Sequence, residues 1–205
     1  MFTFSLFLRM NAASFCLPRN NRCGTTVLAV RTTTLYSKNV SIQLWYTGSV
    51  MVTLTSPAFG EGKSIPPRFT CEGENISPEL HIKNVPAGAV SLALLMEDPD
   101  IPESVKQNRG LEVFDHWVVF NIPAETTVLA EGQKPPGVEG MNSAGQGYTG
   151  PCPPDGEHRY FFKLYALDTL LDLNRSATKA RVEQAMKGHV LEKAQLIGVY
   201  KKVNG

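Results

Sequence analysis

The sequence predicts a mostly β domain over residues 51–205, a two-sheet antiparallel β-sandwich with one or two short helices near the C-terminus. Three observations carry that expectation. After an alternating MVTLT, four further runs have strand character, the connections between them are rich in Pro and Gly rather than in helical pattern, and only one convincing helical periodicity occurs, late in the chain.

The strand runs differ in kind. MVTLT, from Met51, alternates, and SPAFGEG with GKSIPPRFTCEG follows, where the prolines forbid a helix. VSLALLME (90–97) is almost continuously apolar, as a strand buried on both faces would be. FDHWVVFNI (114–122) puts Phe114, His116, Val118, Phe120 and Ile122 on one face by strict alternation. HRYFFKLYAL (158–167) puts His158, Tyr160, Phe162, Leu164 and Ala166 on one face, with Arg159, Phe161, Lys163 and Tyr165 opposite. QLIGVYKK (195–202) closes the set. The helix is expected over 177–187, with Val182, Ala185 and Met186 at helical spacing and Gly188 as its stop; HVLEKA reads as a further short turn.

Charge is unevenly spread. Five of the 20 Lys and Arg lie in residues 1–50 and all 19 Asp and Glu lie beyond, so 51–205 carries 15 against 19, a net of −4. That balance argues against nucleic acid as the main partner of the folded part, because neutralising phosphates needs a basic face. Residues 1–50 are rich in Ser and Thr, hold scattered Arg and lack acid, which fits an N-terminal extension: a transit peptide for chloroplast or mitochondrion, or a non-native segment upstream of Met51. No run approaches the length of a transmembrane segment, and the stretch before Arg9 lacks a basic n-region, so a secretory signal is a poor fit. Cys16, Cys23, Cys71 and Cys152 show no C-x-x-C spacing and no disulfide framework, compatible with a reducing, cytoplasmic setting. GEGKS resembles part of a phosphate-cradling loop, but Pro57 stands where that motif needs Gly.

Polar clusters lie at strand ends. DPDIP ends the apolar strand, bringing Asp98 and Asp100 to a turn in which Asp98-Pro99 or Ile101-Pro102 could be cis. His116 sits within an apolar strand and needs a hydrogen-bond partner, for which a carboxylate of that turn is the natural choice. In GPCPPDGEHRY (150–160) the prolines and glycines stiffen a loop whose backbone N–H groups a ligand could reach, and His158 and Tyr160 fall on one face beyond it. A charged His, a phenol and exposed amides would suit a phosphate or carboxylate. Two other chemistries use the same residues. Cys152 with a His and an Asp holds the ingredients of a thiol-dependent hydrolase, and Asp98, Asp100, His116 and His158 are metal-ligand types at irregular spacing.

LLMEDPDIP, FDHWVVFNIP, GYTGPCPPDGEHRYFFKLYAL and ENISPEL, with the closing GHVLEKAQLIGVY, resemble segments of the phosphatidylethanolamine-binding protein (Raf kinase inhibitor-like) family, in its bacterial and archaeal branch. The resemblance spans 51–205 and leaves 1–50 unmatched. It implies a β-sandwich with a small pocket at one end for phosphate-like anions or phospholipid head groups, without catalysis, cofactor or metal. The matching pocket positions are Asp98, His116, Gly150, Pro151 and Tyr160, with Asp100, His158, Arg159 and Cys152 in support. The expected partner is a phosphorylated or anionic small molecule or a lipid head group, and a protein partner, as for a kinase or protease inhibitor-like module, is the alternative. The chain ends at KKVNG without the C-terminal helix of animal members, so their kinase inhibition does not carry over.

Overall fold

The computed structural model describes residues 51–203, so both readings of residues 1–50 lie outside the described residues. The strands are β1 (Thr53–Thr55), β2 (Lys63–Ser64), β3 (Leu80–Lys83), β4 (Ser91–Asp98), β5 (Phe114–Pro123), β6 (Val128–Leu129), β7 (Val138–Glu139), β8 (Glu157–Leu167) and β9 (Val190–Lys201). Two helices join them, α1 (Glu103–Arg109) and α2 (Lys179–Met186). The strands form a small sheet ordered β1-β3-β6 and a large one ordered β2-β9-β8-β4-β5-β7. One correction to the expected architecture follows: β2 runs parallel to β9, so the large sheet is mixed rather than purely antiparallel.

The apolar run of β4 lies at the centre of the large sheet, between β5 and β8, and all eight of its residues are buried. Its two faces meet different partners. Leu92, Leu94 and Met96 join Leu54, Leu80, Ile82 and Leu129 of the small sheet in the main core. Ala93 and Leu95 face outward, where Val182 and Met186 of α2 cover them. Burial of each such side chain contributes about 1.5–3 kcal/mol, which is why α2 needs little intrinsic propensity to form.

Four local expectations change. The alternation expected for FDHWVVFNI is broken by two register shifts against β4, between Leu92 and Leu94 and between Met96 and Glu97. Trp117, Val119 and Ile122 therefore enter the main core, Val118 and Phe120 enter the outer cluster, and the five residues expected on one face are divided. HVLEKA is not a turn: from Val190 onward it belongs to β9, which pairs antiparallel with β8 nearly end to end, and that ladder outweighs the helical tendency of Leu, Glu, Lys and Ala. The proline-rich stretch does contain a 3-10 turn at Pro67–Phe69, because proline suits the first positions of a helix, where its missing N–H costs nothing. Helix α1 has no buried residue and no apolar periodicity, so no pattern in ESVKQNR could announce it.

Gly198 of β9 shows how closely the layers approach. A Cβ there would stand 2.5 Å from Cγ1 of Ile65 and 2.8 Å from Cε2 of Phe59, so glycine leaves the room that these two side chains take up against β9. Gly198→Ala is expected to lower unfolding stability by about 1–3 kcal/mol through overpacking, read as a lower urea midpoint with an unchanged slope. An unchanged midpoint would mean that the segment moves aside freely.

Candidate functional site

The end of β4, the start of β5 and the loop before β8 meet around a cavity of about 480 Å³. Its floor holds Asp98, His116, Thr149 and Gly150, and Ile101, Pro102 and Val105 with Phe114 make an apolar wall; Arg109, Ser143 and Cys152 also line it. Of the residues expected in the pocket, Asp98, His116 and Gly150 line this cavity and Pro151 and Tyr160 do not; of the expected supporting residues, Cys152 lines it, and Asp100, His158 and Arg159 do not. The apolar wall and Arg109 were not legible. They come from the DPDIP exit and α1, whose polar sequence carries no binding motif.

Asp98 and His158 are both buried and bond to each other, Nδ1 to Oδ2, at 2.7 Å. The second nitrogen of His158 faces Asp155 at 3.3 Å, so both ring nitrogens meet carboxylates and the imidazolium form is favoured. Burial opposes that charge, but Asp98 and then Asp155 raise the pKa of His158 above its ordinary value. Burial raises Asp98 as well, against its bond to His158 and the Asp100 N–H that its Oδ1 accepts at 2.8 Å. Outside this pair, Arg159 donates from Nε and Nη2 to Asp100 at 2.8 and 2.7 Å, clamping the DPD turn to the start of β8. The guanidinium holds the Asp100 carboxyl below its ordinary range. The turn needs no unusual peptide: among the described residues no peptide bond is cis, contrary to expectation at Pro99 or Pro102.

His116 is partnered differently from the expectation. Its Nδ1 lies 2.7 Å from the Thr149 carbonyl oxygen, not from a carboxylate of the DPD turn. A carbonyl only accepts, so Nδ1 carries a proton. Burial pushes the His116 pKa down to about 4, outweighing the Thr149 carbonyl, and near neutral pH the ring is uncharged with a bare Nε2. Its ring packs between Phe114 and Tyr160, with centroids 4.8 and 5.2 Å away. Tyr160 is fully buried behind it.

The loop after Tyr148 is fixed by the 67–75 turn. Tyr148 Oη donates to the Phe69 carbonyl at 2.8 Å, the Gly150 N–H to Asn75 Oδ1 at 2.7 Å, and the Cys71 N–H to the Pro151 carbonyl at 3.1 Å. A Cβ on Gly150 would lie 2.4 Å from the Phe69 oxygen. Gly150 thus serves loop packing, and its N–H is spent on Asn75 rather than offered to a ligand. Cys71 and Cys152 complete the seam as a disulfide, with Cα atoms 5.4 Å apart and a sequence separation of 81. For Cys71 and Cys152 this overturns the reading of unpaired cysteines, since spacing could not reveal the bridge, and with it their support for a reducing compartment; Cys16 and Cys23 lie outside the described residues. It also removes the thiolate that a Cys152-dependent hydrolase requires. The four possible metal ligands do not converge, since Asp100 turns to Arg159 and His116 to Thr149; among the described residues no three His, Cys, Asp or Glu are grouped as a metal site.

The comparisons with known proteins agree on one family. The family model described as phosphatidylethanolamine-binding protein matches residues 55–201. A UPF0098 protein of the archaeon Methanothermobacter thermautotrophicus is 51% identical over 158 residues, covering 74% of this chain and 99% of that protein. Among solved structures, the phosphatidylethanolamine-binding protein homologue CT736 of Chlamydia trachomatis is 43% identical with a TM-score of 0.71, covering 74% of this chain and 98% of that one. Escherichia coli YbcL, a member of the same family, is 30% identical with a TM-score of 0.67, covering 75% of this chain and 99% of that one. Among the described residues no helix is long and apolar enough to cross a membrane.

The His158 pair has a signature in stability. Imidazole titrates near 6.5 when unfolded and higher here, so the contribution of His158 is whole below that pH and is lost as the pH rises through the folded value. The difference in thermal stability between the protein and His158→Gln is expected to narrow steadily from pH 6 to pH 9. A gap that stays constant over that range would mean that His158 is neutral in the fold.

Proposed function

Because the chain belongs to the phosphatidylethanolamine-binding protein family, we propose that it is a non-enzymatic binding protein for a small phosphate-like anion or a phospholipid head group. The observation that carries the reading is the cavity itself. About 480 Å³ suits a small molecule, and it combines a polar floor at Asp98 and His116 with an apolar wall at Ile101, Val105 and Phe114. His116 enters as a hydrogen-bond acceptor rather than as a cation, so it pairs with a ligand group that carries a proton, such as the hydroxyl of monohydrogen phosphate. Affinity for inorganic phosphate, whose monohydrogen form keeps its proton, is then not expected to fall as the pH rises through the usual histidine range, contrary to what a charged His116 would require. No observation among the described residues favours a thiol hydrolase or an inhibitor module over this reading.

Calorimetric titration with inorganic phosphate, and flotation with vesicles of phosphatidylcholine with and without phosphatidylethanolamine, tests the proposal. His116→Ala is expected to weaken phosphate about 3- to 10-fold, the worth of one hydrogen bond. Vesicle binding that phosphate competes away would identify the head group as the source, and phosphate binding alone would identify the free anion. Failure of both probes, or equal affinity of protein and variant, would sink the proposal.

A further inference from the structure

We propose that Arg109, at the end of α1, is the cation that recognises the ligand's anionic group, and that the ligand is a phosphate monoester whose apolar substituent lies along the wall of the cavity. The inference rests on the anion-binding reading above and assigns its charge partner. Four observations lead there.

First, the floor is short of positive charge and of free donors. Asp98 is a carboxyl group whose two oxygens already accept from Asp100 and His158. His116 has committed its one proton to Thr149, and the Gly150 N–H is committed to Asn75. An anion that meets this floor finds no cation there to balance its charge.

Second, Arg109 is the one Lys or Arg among the residues lining the cavity, and among the described residues it makes no ion pair. It is exposed, and its guanidinium carbon lies 5.7 Å from the centroid of the Phe114 ring. That stacking restrains the side chain beside the cavity while its N–H fork stays available for two phosphate oxygens.

Third, Ser143 lines the same cavity. Its Oγ accepts the Asp115 N–H at 2.9 Å, which leaves its own proton to donate. Fourth, part of the lining is apolar. Pro102, Val105 and Phe114 form it, and they suit a hydrocarbon or aromatic substituent better than a bare inorganic ion.

A role for Arg109 confined to the fold would be to favour the C-terminal end of α1 through the helix dipole. Affinity separates the two. Phenyl phosphate, inorganic phosphate and phenol are titrated against the protein, Arg109→Gln and Arg109→Lys at low and at 0.5 M salt, with thermal midpoints recorded for each. The expected result is phenyl phosphate binding more tightly than inorganic phosphate, and weakening at least 10-fold in Arg109→Gln. Arg109→Lys should recover part of the loss, and salt should shrink the advantage of the unaltered protein. Phenol should not distinguish the three proteins, and the thermal midpoints should agree. Equal affinity of the protein and Arg109→Gln for phenyl phosphate, with phosphate still bound, would overturn the assignment to Arg109 and leave the anion-binding reading intact. Absence of phosphate and phenyl phosphate binding to the unaltered protein would overturn both.

Discussion

The site depends on a seam of backbone hydrogen bonds between two loops that are distant in sequence. Tyr148, Gly150 and Pro151 on one side meet Phe69, Asn75 and Cys71 on the other, and the Cys71–Cys152 disulfide closes the same junction. Each bond is worth about 0.5–1.5 kcal/mol net, yet together they fix where the Thr149 carbonyl stands. That carbonyl selects the tautomer of His116, and the tautomer decides what the cavity floor can accept. Asn75 holds a left-handed backbone, φ 57°, to aim its amide oxygen at Gly150, so local strain in one loop serves the position of the other.

The two histidines of the signature segments have opposite electrostatic roles. His158, bracketed by Asp98 and Asp155, carries charge but lies outside the cavity lining, and it neutralises a carboxyl that would otherwise repel an anion. His116, against Thr149 and between two aromatic rings, lines the cavity without charge. Burial alone does not distinguish them, since both are nearly inaccessible. The partner does: carboxylates stabilise an added proton, whereas for His116 desolvation outweighs the backbone of Thr149 and Gly150.

The sandwich was legible because its signals are local. An eight-residue apolar run has to be covered on both faces, and β4 is; the alternation in β8 required only that one face be core, and His158, Tyr160 and Phe162 point there. Where a second strand decides the outcome, local reading fails. The register shifts that divide FDHWVVFNI arise in pairing with β4, and HVLEKA becomes strand only because β8 lies beside it. At the site, residue types pointed to Asp98, His116 and Gly150, which converge. The Thr149 partner of His116, the Asn75 bond to Gly150 and the Cys71–Cys152 bridge left no trace in spacing, because each joins segments through space. Arg109 was invisible for a different reason. Its neighbours in α1 are polar and unpatterned, and only its stacking on Phe114 ties it to the cavity.

The protonation of His116 is the point at which fold, seam and chemistry meet. Nitrogen-15 NMR of the histidine side chains between pH 5 and pH 8 reads it directly. A His116 imidazole that stays neutral throughout, protonated on Nδ1 with an unprotonated Nε2, is the expected result, consistent with a pKa of about 4. A His116 that takes up a second proton near the ordinary value of 6.5 would contradict it, and would return the cavity floor to a cationic site.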